Sequence, residues 1–342
     1  MRIEIPEPES VILVPSTPEH PHNGEADMIR LKNGDLLLAY GQWCGKNDMD
    51  AAEIRCITSS DGGKTWCNDS VLLPNEGNIA TYSVSLLRMQ NDEILISYGV
   101  KESLEDRNVY FRKSSDECKT WSPRVKLEVP PAWYSRYTGI SNNRLIQLGS
   151  GRILAAAWSG WANDKTIIGF TAYSDDYGKT WRKSEDVDIR TIDPSSSYGA
   201  DNPAVVELRD GRVMMFVSTE MGCLAKSYSK DQGRTWTRPV RVRELVAPKA
   251  PATIARIPAT GDLLLVWNFD EQRRCPLNSA ISKDDGKSWS HIRVIDDSSN
   301  STYVSITHVD GKILLTYWSY DSTGTSLILK SFDHKWFYQK NK

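Results

Sequence analysis

The feature that most constrains this chain is an eight-residue string that returns at near-regular intervals. It reads Ser59-Ser60-Asp61-Gly62-Gly63-Lys64-Thr65-Trp66 at its first appearance and recurs at 114–121, 174–181, 229–236 and 282–289, with the pattern S-x-D-x-G-x-[ST]-W. The closing tryptophans, Trp66, Trp121, Trp181, Trp236 and Trp289, are 55, 60, 55 and 53 residues apart. A degenerate sixth copy, Ser331 to Trp336, follows after 47. Self-similarity at such a period marks a repeated supersecondary unit.

Each unit carries a second landmark, a tight turn followed by an apolar run. Examples are Asn33-Gly34 before Leu36-Leu37-Leu38, Gly151 before Ile153-Leu154, and Asp310-Gly311 before Ile313-Leu314-Leu315. Asn-Gly and Asp-Gly between apolar runs are strong hairpin signals. Every unit therefore reads as strand, tight turn, strand, loop, strand, Asp-containing turn, strand. Six such units predict an all-β chain folded as one six-bladed β-propeller over residues 1–342. The blades fall at about 25–66, 82–121, 142–181, 202–236, 251–289 and 303–336. A strand over 9–15 is expected to close the ring by pairing into the last blade.

The string has a structural reading of its own. Its Asp accepts hydrogen bonds from the turn's own N–H groups, its Gly takes a positive φ, and its Trp covers the blade. The second copy has Cys118 at the Gly position, a local cost of about 1 kcal/mol. Five aspartates and five tryptophans in these strings thus belong to the scaffold and not to a site.

The string resembles the Asp-box, or BNR repeat, of the sialidase superfamily. Further stretches are similar to that superfamily, among them Asn202-Pro203-Ala204-Val205, Arg274-Cys275-Pro276 and Thr302-Tyr303-Val304-Ser305. The resemblance implies a glycosidase that removes a terminal sugar, using a Tyr nucleophile partnered by a Glu, an Asp as acid/base, and three arginines on the sugar carboxylate. Carried over by position, the nucleophile falls on Tyr303, the acid/base on Asp48 or Asp50 (Asp50 being nearer the following strand), and one clamp arginine on Arg274. Glu25 and Ser218 stand where the other two arginines are implied. The partner Glu falls on Asn202, with Asp201 beside it. The resemblance therefore implies a sialidase-like hydrolase with an altered arginine clamp, acting on a terminal sugar that need not be sialic acid.

The repeat also indicates where a site would lie. Residues just before each inner strand and just after each second strand should line one mouth of the central channel. Counting back from the turns gives Glu25, Ser83, Asn142, Asn202, Pro251 and Tyr303, and the second strands end near Trp43, Tyr98, Trp158, Ser218 and Trp318. Third-strand starts add Arg107, Lys165, Arg273 and Arg274. The candidate catalytic groups are Tyr303, Asp50, Asp48, Asp201 and Glu25. The candidate substrate contacts are Arg274, Arg273, Arg144, Asp27, Asn202, Trp43, Trp158 and Trp318, with Trp161 beside them. Carboxylates, arginines, amides and flat aromatic faces together suit a sugar.

Two other chemistries fit the same rim: a polysaccharide lyase in which Tyr303 is a base, and a glycan-binding propeller without turnover. Composition narrows the partners. Lys plus Arg is 42 against 44 Asp plus Glu, a net charge of −2, which argues against a nucleic-acid binder. No apolar run approaches the roughly 20 residues of a membrane span. Six cysteines without a C-x-x-C pair, and five histidines of which only His20 and His22 lie close together, give no metal-ligand pattern. No P-loop or dinucleotide motif is present, so no cofactor is expected. The start, Met1-Arg2-Ile3-Glu4, lacks a signal-type apolar stretch, so a cytoplasmic location is expected unless the chain has been trimmed.

Overall fold

A computed structural model describes residues 5–130, 137–160 and 166–339. The fold is all-β, with two short 3-10 turns at Ile189–Thr191 and His334–Tyr338. Its strands group into units of four, paired antiparallel in chain order. The first strand of each unit, the inner strand, runs over His22–Arg30, Ala80–Arg88, Thr138–Gln147, Asp201–Glu207, Thr253–Arg256 and Asn300–Val309. The second strands are buried over most of their length, as in Leu36–Trp43 and Ile94–Lys101, where every residue is buried. Such continuous burial needs both sheet faces covered, and the neighbouring units supply the cover.

In units one to five the fourth strand follows the repeated string, as Cys67–Leu73 and Val240–Val246 do. Blade ranges ending at the tryptophans therefore stop one strand short. The sixth unit takes its fourth strand from the other end of the chain: Glu9–Val14 pairs antiparallel with Thr325–Asp333. Units three, four and five are separate four-stranded sheets, and units six, one and two join into a twelve-stranded one. The joins are single parallel pairs, His22 with Thr325 and Ala52 with Ala80.

The core lies between units. One cluster sets Ile29, Ala39 and Ile54 of the first unit against Leu86, Ile96 and Tyr98 of the second. Another sets Ala26, Met28 and Leu38 of the first against Val309, Leu314 and Leu327 of the last. The string tryptophans fill these seams, with Trp121 packed on the first cluster and Trp66 on the second. Trp181 of unit three stacks on Phe111 of unit two, centroids 3.8 Å apart and rings 12° from parallel. Each tryptophan thus seals a boundary between units, where the repeat alone suggested a lid on its own blade.

The strings adopt the turn expected of them. Asp61 accepts from the N–H groups of Lys64 and Thr65 at 2.9 Å and from the Thr65 hydroxyl at 2.6 Å. These bonds hold its carboxyl below the usual range. Cys118 takes φ +66°, the conformation glycine has in the other copies.

One irregularity recurs. The pairing of inner and second strands slips in units one, two, three, four and six, between Gly24 and Asp27, Tyr82 and Ser85, Ile140 and Leu145, Asp201 and Ala204, and Thr302 and Ser305. In each slip a non-glycine residue has positive φ: Glu25 (+51°), Ser83 (+59°), Asn143 (+57°), Asn202 (+48°) and Tyr303 (+56°). A bulge of this kind re-aims a side chain. In the third unit the residue is Asn143 and not Asn142. The fifth unit, where counting gave Pro251, has no slip between Thr253 and Arg256.

Candidate active site

The bulges surround a cavity of about 250 Å³. Its walls include Glu25 of unit one, Tyr82 and Ser83 of unit two, Ser141 of unit three, Asp201 and Asn202 of unit four, and Tyr303 of unit six. In units one, two, four and six the positive-φ residue of the slip itself lines this space, whereas Asn143 of unit three does not and Ser141 takes its place.

Aromatic faces complete the walls and lie on glycines. A Cβ on Gly41 would come within 2.7 Å of the Trp43 ring, and one on Gly139 within 2.1 Å of Trp158. Gly24 and Gly99 stand likewise beneath Trp318 and Tyr82, at 2.7 and 2.9 Å. Trp43 and Trp158 line the cavity directly. Trp318 stands behind Tyr303, with centroids 5.7 Å apart and rings 20° from parallel.

The carboxyl groups are perturbed by their surroundings. Burial, reinforced by Asp48, pushes Glu25 up to about 7. Burial also raises Asp201, against the hydrogen bonds it accepts from the Tyr198 hydroxyl and the Asn202 N–H. Tyr303 is pushed above its ordinary range by burial and then by Glu25, with Arg274 opposing. The Arg274 guanidinium carbon lies 5.7 Å from the Tyr303 ring centroid and 5.8 Å from that of Trp318.

The two loop aspartates separate. Asp48 is exposed at the mouth and lines the cavity. Asp50 is absent from that lining and folds back into its own loop, where Oδ2 accepts from the Asn47 N–H at 2.8 Å. A Cβ on Gly45 would lie 2.0 Å from that oxygen, so the glycine is what lets Asp50 turn inward. Nearness to the following strand favoured Asp50, whereas the aspartate that lines the cavity is Asp48.

Three other candidates are committed elsewhere. Asp27 is buried beneath the cavity, and its carboxylate accepts from Ser305 Oγ (2.6 Å), Leu86 N (2.8 Å), Met28 N (2.9 Å) and Asn143 Nδ2 (3.0 Å). It ties four inner strands and does not line the cavity. Arg144 is buried among the inner strands, donating to the carbonyls of Asn142 and Ala252 at 3.0 Å. Arg273 is exposed and paired with Asp270 at 2.9 Å. Trp161 and Lys165 lie outside the described residues. A larger cavity of about 580 Å³ lies among the inner strands of units three to six. Its arginines are engaged in protein bonds, as Arg256 is with Asp285 and the Glu207 carbonyl.

Reading the rim missed Lys101, Tyr137 and Tyr198, which also line the smaller cavity, and passed over Tyr82. Lys101 is 1% exposed and closes a fully buried strand with no other charged residue, a lysine placement that was the available signal. Tyr98, the residue counted there instead, points to the other side and donates to Glu76 at 2.9 Å.

A family model described as a BNR repeat-like domain matches residues 42–315, from the second strand of the first unit into the second strand of the last. The chain belongs to this family. This BNR repeat-like protein is 27% identical over 346 aligned residues to a sialidase from Micromonospora viridifaciens, covering 89% of its own length and 50% of the relative's. It spans about half the length of the curated relatives it matches first. Among solved structures, a protein of unknown function from Dyadobacter fermentans superposes with a TM-score of 0.77 at 17% identity, covering 95% of this chain and 98% of that one. The intramolecular trans-sialidase from Ruminococcus gnavus gives 0.75 at 14%, covering 97% and 99%. The family match and the curated sialidase relatives make the protein a divergent member of the sialidase/BNR superfamily, and the solved structures share its fold.

Proposed function

We propose that this chain is an exo-acting glycoside hydrolase of the sialidase superfamily, built as a six-bladed propeller whose ring closes between first and last units. The closure is supported by the seam shared by those units and by the pairing of Glu9–Val14 with Thr325–Asp333. The catalytic reading rests on the convergence of Tyr303, Glu25, Asp201 and Asp48 on one cavity sized for a single sugar.

In this reading the Tyr303 oxygen attacks the anomeric carbon. A tyrosine is a weak nucleophile without a base beside it. Glu25, held near neutrality, takes the Tyr303 proton, while Asp48 at the mouth protonates the departing oxygen. Water then attacks the anomeric carbon and breaks its bond to the Tyr303 oxygen, Asp48 accepting the water proton while Glu25 returns its proton to Tyr303. Asp201, fixed by Tyr198 and Asn202, holds its carboxyl oxygens on the cavity wall near the oxocarbenium-like transition state. Trp158 offers a face to sugar C–H groups, while Trp43, stacked on His22 with centroids 4.2 Å apart, presents only an edge to the cavity.

The sialic-acid carboxylate is poorly served here. Arg274 remains, but Glu25 and Ser218 occupy the other two clamp positions that the resemblance implies, and the Ser218 hydroxyl is spent on the Ala250 carbonyl. Two lost charge-assisted bonds remove about 3–6 kcal/mol. Simple sialosides are therefore expected to be poor substrates. A panel of chromogenic sialosides, uronides and neutral glycosides, with products read by mass and ultraviolet absorbance, tests the proposal. Release of a hydrated sugar, absent in Tyr303→Phe, supports it. An unsaturated product would make the protein a lyase, and silence across the panel from folded protein would leave a glycan-binding propeller.

A further inference from the structure

Lys101 and Arg107 face each other as a cross-strand pair in the second unit, and both line the cavity. Like charges placed opposite each other in a sheet destabilise it, and burying an ammonium group without a counter-ion is costly. Yet among the described residues neither is in ion-pair contact with a carboxylate. Lys101 Nζ donates to the Asp48 carbonyl, not to its carboxylate, and stands 4.8 Å from the Tyr82 ring centroid. The Arg107 guanidinium stands 4.8 Å from the Tyr137 ring centroid, and its buried Nε has no hydrogen-bond partner among the described residues. Two cations are thus held side by side on the wall of a small cavity with donors to spare.

The position of the pair matters as much as its charge. Tyr303 belongs to unit six and Glu25 to unit one, while the pair belongs to unit two. An anion bound there lies on the wall contributed by unit two, while the attacking Tyr303 comes from unit six, so it meets a part of the sugar other than the carbon under attack. A sialic acid carries its carboxylate on that carbon itself. A hexuronic acid carries it on C5, across the ring oxygen. The cavity of about 250 Å³ is below the usual range of roughly 300–1,000 Å³ for ligand pockets, which favours one six-carbon ring over a nine-carbon sugar. The planar fork of an arginine suits a carboxylate.

We propose that Lys101 and Arg107 form a carboxylate subsite, and that the sugar held in the cavity is a hexuronic acid whose C5 carboxylate lies against them. This rests on the cavity being the substrate site, as argued above, but not on turnover. Calorimetric titration separates the two. The probes are D-glucuronate, D-galacturonate, the methyl ester of glucuronate, glucose, N-acetylneuraminate and inorganic sulfate.

One uronate should bind at least tenfold more tightly than its ester or the neutral hexose. Lys101→Met and Arg107→Gln should each weaken it at least tenfold, and Arg107→Lys should restore part. Thermal melts verify folding, and Arg107, half-buried, serves if Lys101→Met does not fold. The proposal is overturned if ester and acid bind alike, if the variants bind uronate like the parent, or if sulfate competes as well as uronate. It is also overturned if N-acetylneuraminate binds best and depends on Arg274 alone. Uronate binding without cleavage of any uronide would sink the hydrolase reading and leave the subsite standing. Cleavage of neutral glycosides without uronate binding would do the reverse.

Discussion

Glu25 and Tyr303 hold a backbone conformation that costs an ordinary residue about 1–2 kcal/mol. The bulge that imposes it is what points them at the cavity. Tyr303→Phe removes a hydroxyl and little volume, so the melting temperature should stay close to the parent's. Turnover of the true substrate should fall by more than about a hundredfold. Equal rates in parent and variant would make Tyr303 a packing residue. Glu25 gives a pH signature of known sign. Its carboxyl, ordinarily near 4.5, is raised to about 7 in the fold, so between those values the native state holds the extra proton. Stability should therefore fall as pH rises from about 4.5 to about 7. Glu25→Gln cannot ionise, so its melting-temperature advantage over the parent should be greater at pH 8 than at pH 5. If Glu25 is the base, parent kcat/KM should climb through about pH 7, and Glu25→Gln should lose that limb along with activity. The placement of Tyr303, Glu25 and Asn202 on the cavity was legible because position in the repeat marks one end of the inner strands, and Asp201 came from the resemblance that put it beside Asn202. Which of Asp48 and Asp50 faces the cavity was not legible, since it depends on a loop folding onto Gly45, and the signal of a lysine at the end of a buried strand was passed over at Lys101.

At the scale of elements, the repeated strings and the glycine–aromatic contacts do different work. Trp181 stacks across a seam, far from the cavity lining. Trp181→Ala should cost about 3–5 kcal/mol, measured by denaturant titration, while protein that remains folded keeps its turnover. Lost activity with unchanged stability would place Trp181 in the site. Gly139 does the reverse: a methyl group there would meet Trp158 at 2.1 Å. Gly139→Ala should displace the Trp158 ring and weaken sugar binding at least tenfold, with a smaller change in melting temperature. Binding at the parent's level would show that Trp158 is dispensable. Strand order within each unit could be read from the turn and string landmarks. What the tryptophans pack against could not, because a linear repeat does not say which neighbouring unit lies under a ring.

Across the whole molecule, the two ends of the chain meet in the sixth unit. Removing residues 1–15 would strip that unit of its fourth strand and expose the edge of Thr325–Asp333. The truncated protein should melt at least several degrees lower and associate in light scattering. An unchanged melt would show that Glu9–Val14 adds nothing to closure. The all-β class and the fourfold strand count were legible from the periodicity, whereas the recurrent slip in the inner strands left no mark in composition or hydropathy. That slip has an evolutionary consequence. Five units offer the same backbone seat, and four of the occupants, Glu25, Ser83, Asn202 and Tyr303, face the cavity, while Asn143 is spent on Asp27. A single codon change at one of those four seats alters the chemistry presented to the cavity while the strands around it keep their register. New specificities can therefore arise on this scaffold by exchange at four addresses, without insertions or a redesigned core.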